Sequence, residues 1–193
     1  MSQTPYSDVV SRCDWQFRQR KLRAMTDEIR LPEVVLTDEE HQECQEFVRS
    51  IVKSDDGEWA VKEEFADAML RSMIAVCLMG RAERLLAEAG GDQISSMLHI
   101  PHFGDGSLES NRVEQACITA AKACAIFPLS IHFYDFGCLL LQVGKLGEAK
   151  VAFAQFLSST EFDTSDPVRQ IWLKQRDTVS AVEYCKAILM ATA

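Results

Sequence analysis

The chain has 193 residues, of which 47% are hydrophobic and 25% are charged, and its formal net charge is −9 at pH 7. These proportions are typical of a globular protein and exclude a largely disordered chain, while no apolar run approaches the roughly 20 residues that a membrane span needs. The negative charge argues against a nucleic-acid partner, because a phosphate backbone favours a positively charged surface.

The composition predicts an all-α protein, organised as a single helical domain over residues 1–193. Only five prolines and nine glycines are present. Long alternating runs of β-branched residues, which would indicate strands, are missing from the sequence. Alanine, leucine, glutamate, glutamine, arginine and lysine fill most segments, and these are the residues with the highest helix propensity.

Residues 1–56 are predicted to form two helices. The first covers about residues 7–28 and ends before Leu31-Pro32, since a residue that precedes proline avoids the helical region. Thr37 and Glu40 form a capping box that opens the second helix, which extends to about residue 53. The first helix also carries a basic cluster, which we interpret as a solvated face, with a docking face for an acidic partner or an anionic surface as the alternative: Arg18, Arg20, Lys21 and Arg23.

Residues 57–91 are predicted to form a degenerate helical hairpin. Large apolar side chains recur at helical spacing over residues 58–79, and Gly80 then interrupts the pattern. We therefore expect a turn at Gly80 and a short partner helix over residues 81–89. Gly90-Gly91 is expected to end that second helix.

Residues 92–110 are predicted to be an irregular loop, and loops of this length inside a domain are often functional or mobile. The loop holds the one cluster that resembles a chemical site, formed by His99, His102 and Asp105. Two histidines and a carboxylate can hold a metal ion with open coordination positions. Pro101 makes the segment extended, however, so the two imidazole rings need not converge. We interpret them as loop histidines.

Residues 111–161 carry the strongest helical pattern. Over residues 131–157 two short amphipathic helices flank a turn at Gly144, and the small residues Gly137 and Ala149 occur where these helices must touch. Upstream, a face of small residues that ends at a proline is interpreted as the second half of a preceding hairpin: Ala116, Ala120, Ala123 and Pro128.

Residues 130–161 resemble a tetratricopeptide repeat (TPR). Phe133 stands at the tryptophan position of that family, Phe136-Gly137 at the leucine-glycine position and Leu140 at the tyrosine position, followed by the turn glycine Gly144, Leu146, the key alanine Ala149 and the aromatic Phe153. Phe156 and Glu161 depart from the usual alanine and proline. The resemblance implies antiparallel helical hairpins stacked as a short right-handed solenoid.

Members of this family bind peptides or partner proteins along a concave groove lined by the first helix of each pair. The resemblance places the partner-binding positions at Ile131, Tyr134, Cys138, Leu141 and Gln142. Members that clamp a terminal carboxylate present lysine, arginine and asparagine there, and this chain does not. The apolar positions indicate either binding of an amphipathic or extended apolar segment, or burial under the protein's own N-terminal or C-terminal helix.

Residues 164–193 are predicted to form one capping helix that extends to about residue 190. Asp166 is suited to the N-cap position, and Pro167 to the first helical position. Apolar side chains follow at three- and four-residue spacing on one side of this helix, with polar residues largely on the other. Such a helix packs on one face and meets water on the other, as the end of a helical stack requires.

The sequence therefore predicts a cytoplasmic protein-interaction module, adaptor or co-chaperone-like, that binds a protein or peptide without a cofactor, a metal or a catalytic role. The start of the chain shows no secretory signal, and the seven scattered cysteines include no C-x-x-C pair, which favours a reducing compartment. One alternative is a homo-oligomeric structural subunit, a homodimer for example. A metal-binding or enzymatic protein that uses His99 and His102 is the third hypothesis.

Overall fold

The computed structural model describes residues 34–53, 65–91, 108, 110–163, 165–173 and 177–191. Every regular element in these ranges is an α-helix, so the all-α prediction is confirmed for the described part of the chain. In chain order the helices are α1 (Asp38–Lys53), α2 (Ala66–Glu88), α3 (Ser110–Ile126), α4 (Ser130–Gln142), α5 (Leu146–Asp163), α6 (Pro167–Leu173) and α7 (Thr178–Ala191).

The helices pack mainly as two pairs. The most extensive contacts join α2 to α3 and α4 to α5, while α1 packs on α2, and α7 packs on α5. Small buried residues of α3 allow the close approach of its neighbours: Ala116, Ala120 and Ala123. The helix that pairs with α3 is therefore α2. Large side chains from both pairs join one continuous hydrophobic core, among them Met69, Met73, Leu78, Phe153 and Phe156.

The predicted capping box at the start of α1 is confirmed. The backbone N–H of Thr37 donates to Glu40 Oε2 at 2.9 Å, and the backbone N–H of Glu40 donates to Thr37 Oγ1 at 3.2 Å. Glu40 is buried and also accepts hydrogen bonds from Lys122 Nζ (2.6 Å) and Thr119 Oγ1 (3.1 Å) of α3. The cap of one helix thus also ties α1 to α3.

The predicted turn at Gly80 is wrong, because α2 continues through that residue to Glu88. A single glycine inside a helix costs only about 1 kcal/mol relative to alanine, which burial of the flanking apolar side chains readily offsets. The predicted helix end at Gly90-Gly91 is confirmed, because α2 stops at Glu88, Gly90 has a φ of 94° in the left-handed region, and the Gly91 N–H donates to the Leu86 carbonyl at 2.9 Å. The predicted start of this helix, at about residue 58, lies outside the described residues.

The predicted turn between the next two helices is confirmed. Gly144 has a φ of 75°, and the backbone N–H of Lys145 donates to the Leu140 carbonyl at 2.8 Å, as in a glycine-terminated helix end. Because only residues 143–145 separate α4 from α5, the chain reverses and the two helices lie side by side. Gly137 and Ala149 are buried, as the small-residue pattern predicts.

The prediction of one helix over residues 164–193 is corrected to two, α6 and α7. Asp166 caps α6 as predicted, since its Oδ1 accepts from the N–H groups of Val168 (2.8 Å) and Arg169 (3.1 Å). Asp177 makes the same arrangement with Val179 (3.1 Å) and Ser180 (3.2 Å) and so starts a second helix. Its side chain satisfies amide groups that an uninterrupted helix would bond internally.

A buried ion pair joins the ends of three helices. Asp163, the last residue of α5, accepts from the Ser130 N–H at 2.5 Å and from Arg169 Nη1 at 2.6 Å. The same guanidinium donates to the Pro128 carbonyl and lies 4.7 Å from the centroid of the Phe127 ring. Asp163 and Arg169 are both buried, so this pair fixes how α6 meets the start of α4.

A candidate binding groove

The five side chains predicted to bind a partner are all buried within the chain. Ile131, Tyr134, Cys138, Leu141 and Gln142 are 4, 6, 1, 1 and 4% exposed, respectively. This burial agrees with the second of the two alternatives drawn from the sequence, in which the protein's own helix covers these positions, and binding of a partner by the set stays a prediction. The sequence did hold a signal for this burial, because α4 is apolar nearly all round, and eleven of its thirteen residues are buried.

The Tyr134 side chain shows what covers this face of α4. Its ring centroid lies 6.0 and 5.5 Å from those of Phe153 and Phe156 on α5, and 6.3 Å from that of Tyr184 on α7. The Tyr184 ring meets it edge-on at 79°. Burial raises the pKa of the Tyr134 hydroxyl well above its usual value. A helix of the chain itself therefore occupies the space beside Tyr134.

A groove with a volume of about 590 Å³ lies elsewhere, between α1, α2, α4 and α6. We call it the acidic groove. Its floor is largely apolar, and its rim is mostly acidic. The floor includes the apolar side chains of Phe47, Val76, Cys77, Ile131 and Trp172. The rim includes the charged side chains of Glu43, Glu46, Glu83 and Arg84.

Ile131 is the member of the predicted set that lines the acidic groove. His132 and Asp135 of the same helix also line it, although sequence reasoning did not assign them to a binding face. The available signal was a polar pair spaced three residues apart on an otherwise apolar helix, since that spacing puts two side chains on one helical face. Both are largely buried, so they contribute polarity to the floor of the groove.

The rim of the groove carries more carboxylates than guanidinium groups. Glu43 accepts from Arg81 Nη1 at 2.7 Å and also pairs with Arg84, so its charge is offset by these two arginines. Glu46 is exposed, and its carboxylate accepts a hydrogen bond from the Gln42 amide at 3.1 Å. The lining of the groove holds four carboxylates and one guanidinium group, so its mouth has a negative potential next to apolar side chains: Glu43, Glu46, Glu83 and Asp135, and Arg84.

A second groove, with a volume of about 620 Å³, lies between α3, α4 and α5. We call it the apolar groove, because the half-buried Phe133 and Phe136 rings and Val151 line it. Val151 is 72% exposed, and Ile118, on the same helix as the lining residues Cys117 and Ala121, is 50% exposed. Large apolar side chains that meet water beside a groove mark a surface suited to association.

The candidate metal site at His99, His102 and Asp105 lies outside the described residues, as does the basic cluster Arg18, Arg20, Lys21 and Arg23. In the part of the chain that the structure does describe, no group of three or more histidine, cysteine, aspartate or glutamate side chains could hold a metal ion. None of the helices in that part is both long enough and apolar enough to cross a membrane.

Comparison of the chain with protein-family models, with curated proteins and with solved structures finds no match. The tetratricopeptide resemblance is therefore not confirmed by a related protein. What the structure establishes is the coarser description, a set of helices packed against one another around a common core.

Proposed function

We propose that the chain is a protein-interaction module that binds a segment of a partner protein in the acidic groove. The observation that supports this function is the combination of an apolar floor with the carboxylates of the rim, of which Glu46 is exposed and Glu43 and Glu83 are half-buried. Apolar floors bury the anchor side chains of a bound peptide, and charged rims select partners of opposite charge.

The arrangement of helices supports the same function. We infer that α2/α3 and α4/α5 are two TPR-like hairpins stacked as a short solenoid, with α6 and α7 at its end. In that arrangement α2 and α4 are the first helices of their pairs, and both line the acidic groove. This is the position that the resemblance gives for a partner-binding surface. Cytoplasmic location is part of the proposal, because the six described cysteines are free thiols.

The chemistry of the rim indicates the kind of segment that binds. Glu46 and Glu83 favour lysine or arginine, while Phe47, Ile131 and Trp172 favour apolar anchors. An amphipathic helix with basic residues beside its apolar face meets both requirements, with anchors spaced three and four residues apart.

A peptide-display selection tests this function. A random 16-residue peptide library is selected on the wild-type chain, and enriched peptides are then measured on Glu46→Lys/Glu83→Lys. We expect peptides with net positive charge and apolar residues at helical spacing, and binding to the variant that is weaker by about tenfold, with a reduced salt dependence. The control is Glu114→Lys/Glu183→Lys, which makes the same charge change at exposed residues of α3 and α7.

Equal binding of the enriched peptides to wild type and the groove variant would contradict the proposed function. So would a selection that enriches no peptide. Loss of binding by the control variant as well would show that net charge, and not the acidic groove, controls the interaction.

The apolar groove supports a second candidate function, self-association as a structural subunit. The supporting observation is the exposure of Ile118 and Val151 beside the lining residues of that groove. A protein that associates through this surface increases in mean mass with concentration, and Ile118→Lys/Val151→Lys would abolish the increase. A wild-type mass that stays at one chain over the same concentration range would exclude this function.

A further inference from the structure

Two cysteines from neighbouring helices face each other across the contact between α1 and α2. Arg81 of α2 binds Glu39 at 2.8 Å and Glu43 at 2.7 Å, so this arginine holds the two helices in a defined register. Cys44 directly follows Glu43, and Cys77 lies one helical turn before Arg81. The thiols of Cys44 and Cys77 are near enough to interact across this contact, with the Cys44 thiol as the donor toward the Cys77 sulfur.

The two thiols differ in access to solvent. Cys77 lines the acidic groove, whereas Cys44 is fully buried behind it. A small oxidant that enters the groove therefore meets Cys77 first. The Cys44 thiol then lies behind the oxidised Cys77 sulfur.

The surroundings also make Cys77 the more reactive thiol. The hydrogen bond from Cys44 lowers the pKa of Cys77, against the effect of burial, and the positive charge of Arg81 lowers it further. The same hydrogen bond and burial raise the pKa of Cys44. Burial raises the pKa of Cys124 and of Cys185 to about 12 each, so these two thiols lack the features that favour a thiolate.

We propose that Cys44 and Cys77 form a peroxide-reactive pair that closes to a disulfide between α1 and α2. The Cys77 thiolate attacks one oxygen of hydrogen peroxide, the O–O bond breaks, and the products are a Cys77 sulfenic acid and hydroxide, which takes a proton to become water. The Cys44 sulfur then attacks the sulfenic sulfur, its proton leaves with the expelled hydroxide as a second water, and the S–S bond forms. Two thiols are oxidised, and one peroxide is reduced to two waters.

The test uses the full chain, reduced and then freed of reductant, with one equivalent of hydrogen peroxide. After thiol blocking and tryptic digestion without reduction, each cysteine of the pair lies alone in its peptide, Cys44 in residues 31–49 and Cys77 in residues 72–81. The expected product is these two peptides joined, with a mass lower than their sum by two hydrogen atoms, and separated again by reductant.

Single cysteine variants test which thiol reacts with peroxide and which one resolves the sulfenic acid. Cys44→Ser should accumulate the sulfenic acid at Cys77, detected as its dimedone adduct, because the resolving thiol is gone. Cys77→Ser should consume peroxide more slowly by at least about tenfold. Cys185→Ser is the matched control, and it should form the cross-link at the wild-type rate. Circular dichroism of each variant establishes that it keeps its helices.

Three results would overturn the proposal. One is a wild-type digest in which other cysteines are oxidised and the cross-linked peptide is absent, a readout that needs no variant. The second is a dimedone adduct at Cys44 in place of Cys77. The third is peroxide consumption by Cys77→Ser at the wild-type rate.

Discussion

A Cβ atom placed on Gly137 of α4 would lie 2.5 Å from Cε1 of the Phe153 ring on α5. Real Cβ atoms do not approach other atoms so closely, so the ring occupies space that glycine alone leaves open. Phe153 is fully buried and also packs edge-on against Tyr184 of α7, with ring centroids 6.0 Å apart. The missing side chain at Gly137 therefore determines how closely α4 and α5 pack.

We expect Gly137→Ala to destabilise the fold although alanine is the better helix former. Alanine gains about 1 kcal/mol of helix propensity, but overpacking a tight core contact costs about 1–3 kcal/mol, and the buried Phe153 ring has little room to move. Urea unfolding measures the net loss. Gly147→Ala in α5 is the control, because a Cβ there meets no atom within 4 Å, and this variant should be more stable than wild type.

Gly80→Ala should stabilise the protein by about 0.5–1 kcal/mol. The glycine lies inside α2, and a Cβ there would meet only the Arg84 Nη1 atom, at an ordinary contact distance of 3.7 Å. The gain comes from helix propensity and from the lower entropy of the unfolded chain. The midpoint of thermal unfolding reports the change. A loss of stability would contradict an unbroken α2 and restore the predicted turn at this position.

Protonation of Glu40 should weaken the fold at acidic pH. Burial acts to raise the pKa of Glu40, but hydrogen bonds from Lys122 and Thr37 and the charge of Lys122 outweigh it, so the folded-state pKa lies below its usual value. The contribution of Glu40 to stability is therefore complete above the unfolded pKa of about 4.3 and is lost as the pH falls through the lower folded pKa.

Glu40→Gln tests this prediction through the free energy of unfolding between about pH 6 and pH 3. At neutral pH we expect the variant to be less stable by about 1.5–3 kcal/mol, because charge-assisted hydrogen bonds are lost. Its stability should then fall less steeply than that of wild type on acidification. Glu114→Gln, at an exposed position of α3, should follow the wild-type curve. Parallel curves for Glu40→Gln and wild type would show that Glu40 does not titrate as described.

The pair Asp163 and Arg169 should show strong energetic coupling. Asp163→Leu leaves the buried guanidinium without its hydrogen-bonded carboxylate, which costs about 3–5 kcal/mol. Asp163→Leu/Arg169→Met removes both charges and should cost much less than the sum of Asp163→Leu and Arg169→Met. A double-mutant cycle on unfolding free energies measures the difference. Simple additivity of the single changes would mean that the pair does not act as a unit.

Helix boundaries that depend on local hydrogen bonds were predictable from the sequence. The capping box of Thr37 and Glu40, the Asp166 cap and the glycine ends of α2 and α4 each depend on hydrogen bonds that span two to five residues. The residues that make those bonds therefore lie close together in the sequence. Local chemistry therefore located these boundaries before any packing was known.

The predictions that were corrected depend on longer-range contacts. At Gly80 a local preference against helix was overcome by burial of α2 on both sides of that residue. At Asp177 a capping side chain interrupted a continuous apolar pattern, and that pattern alone predicted one helix. For α4 the sequence left open whether a groove or the protein's own helix lies on the predicted face, because a helix that is apolar all round gives no indication of which side another helix covers.

By itself the amino-acid sequence determined the helical class, most helix ends and the small residues at helix contacts, since propensity, capping and turn geometry are local properties. Only the tertiary structure decided that α7 covers Tyr134, that Cys44 faces Cys77 and that Glu43, Ile131 and Trp172 share one groove. These residues lie far apart in the chain, and the way that their helices pack together in three dimensions brings them together.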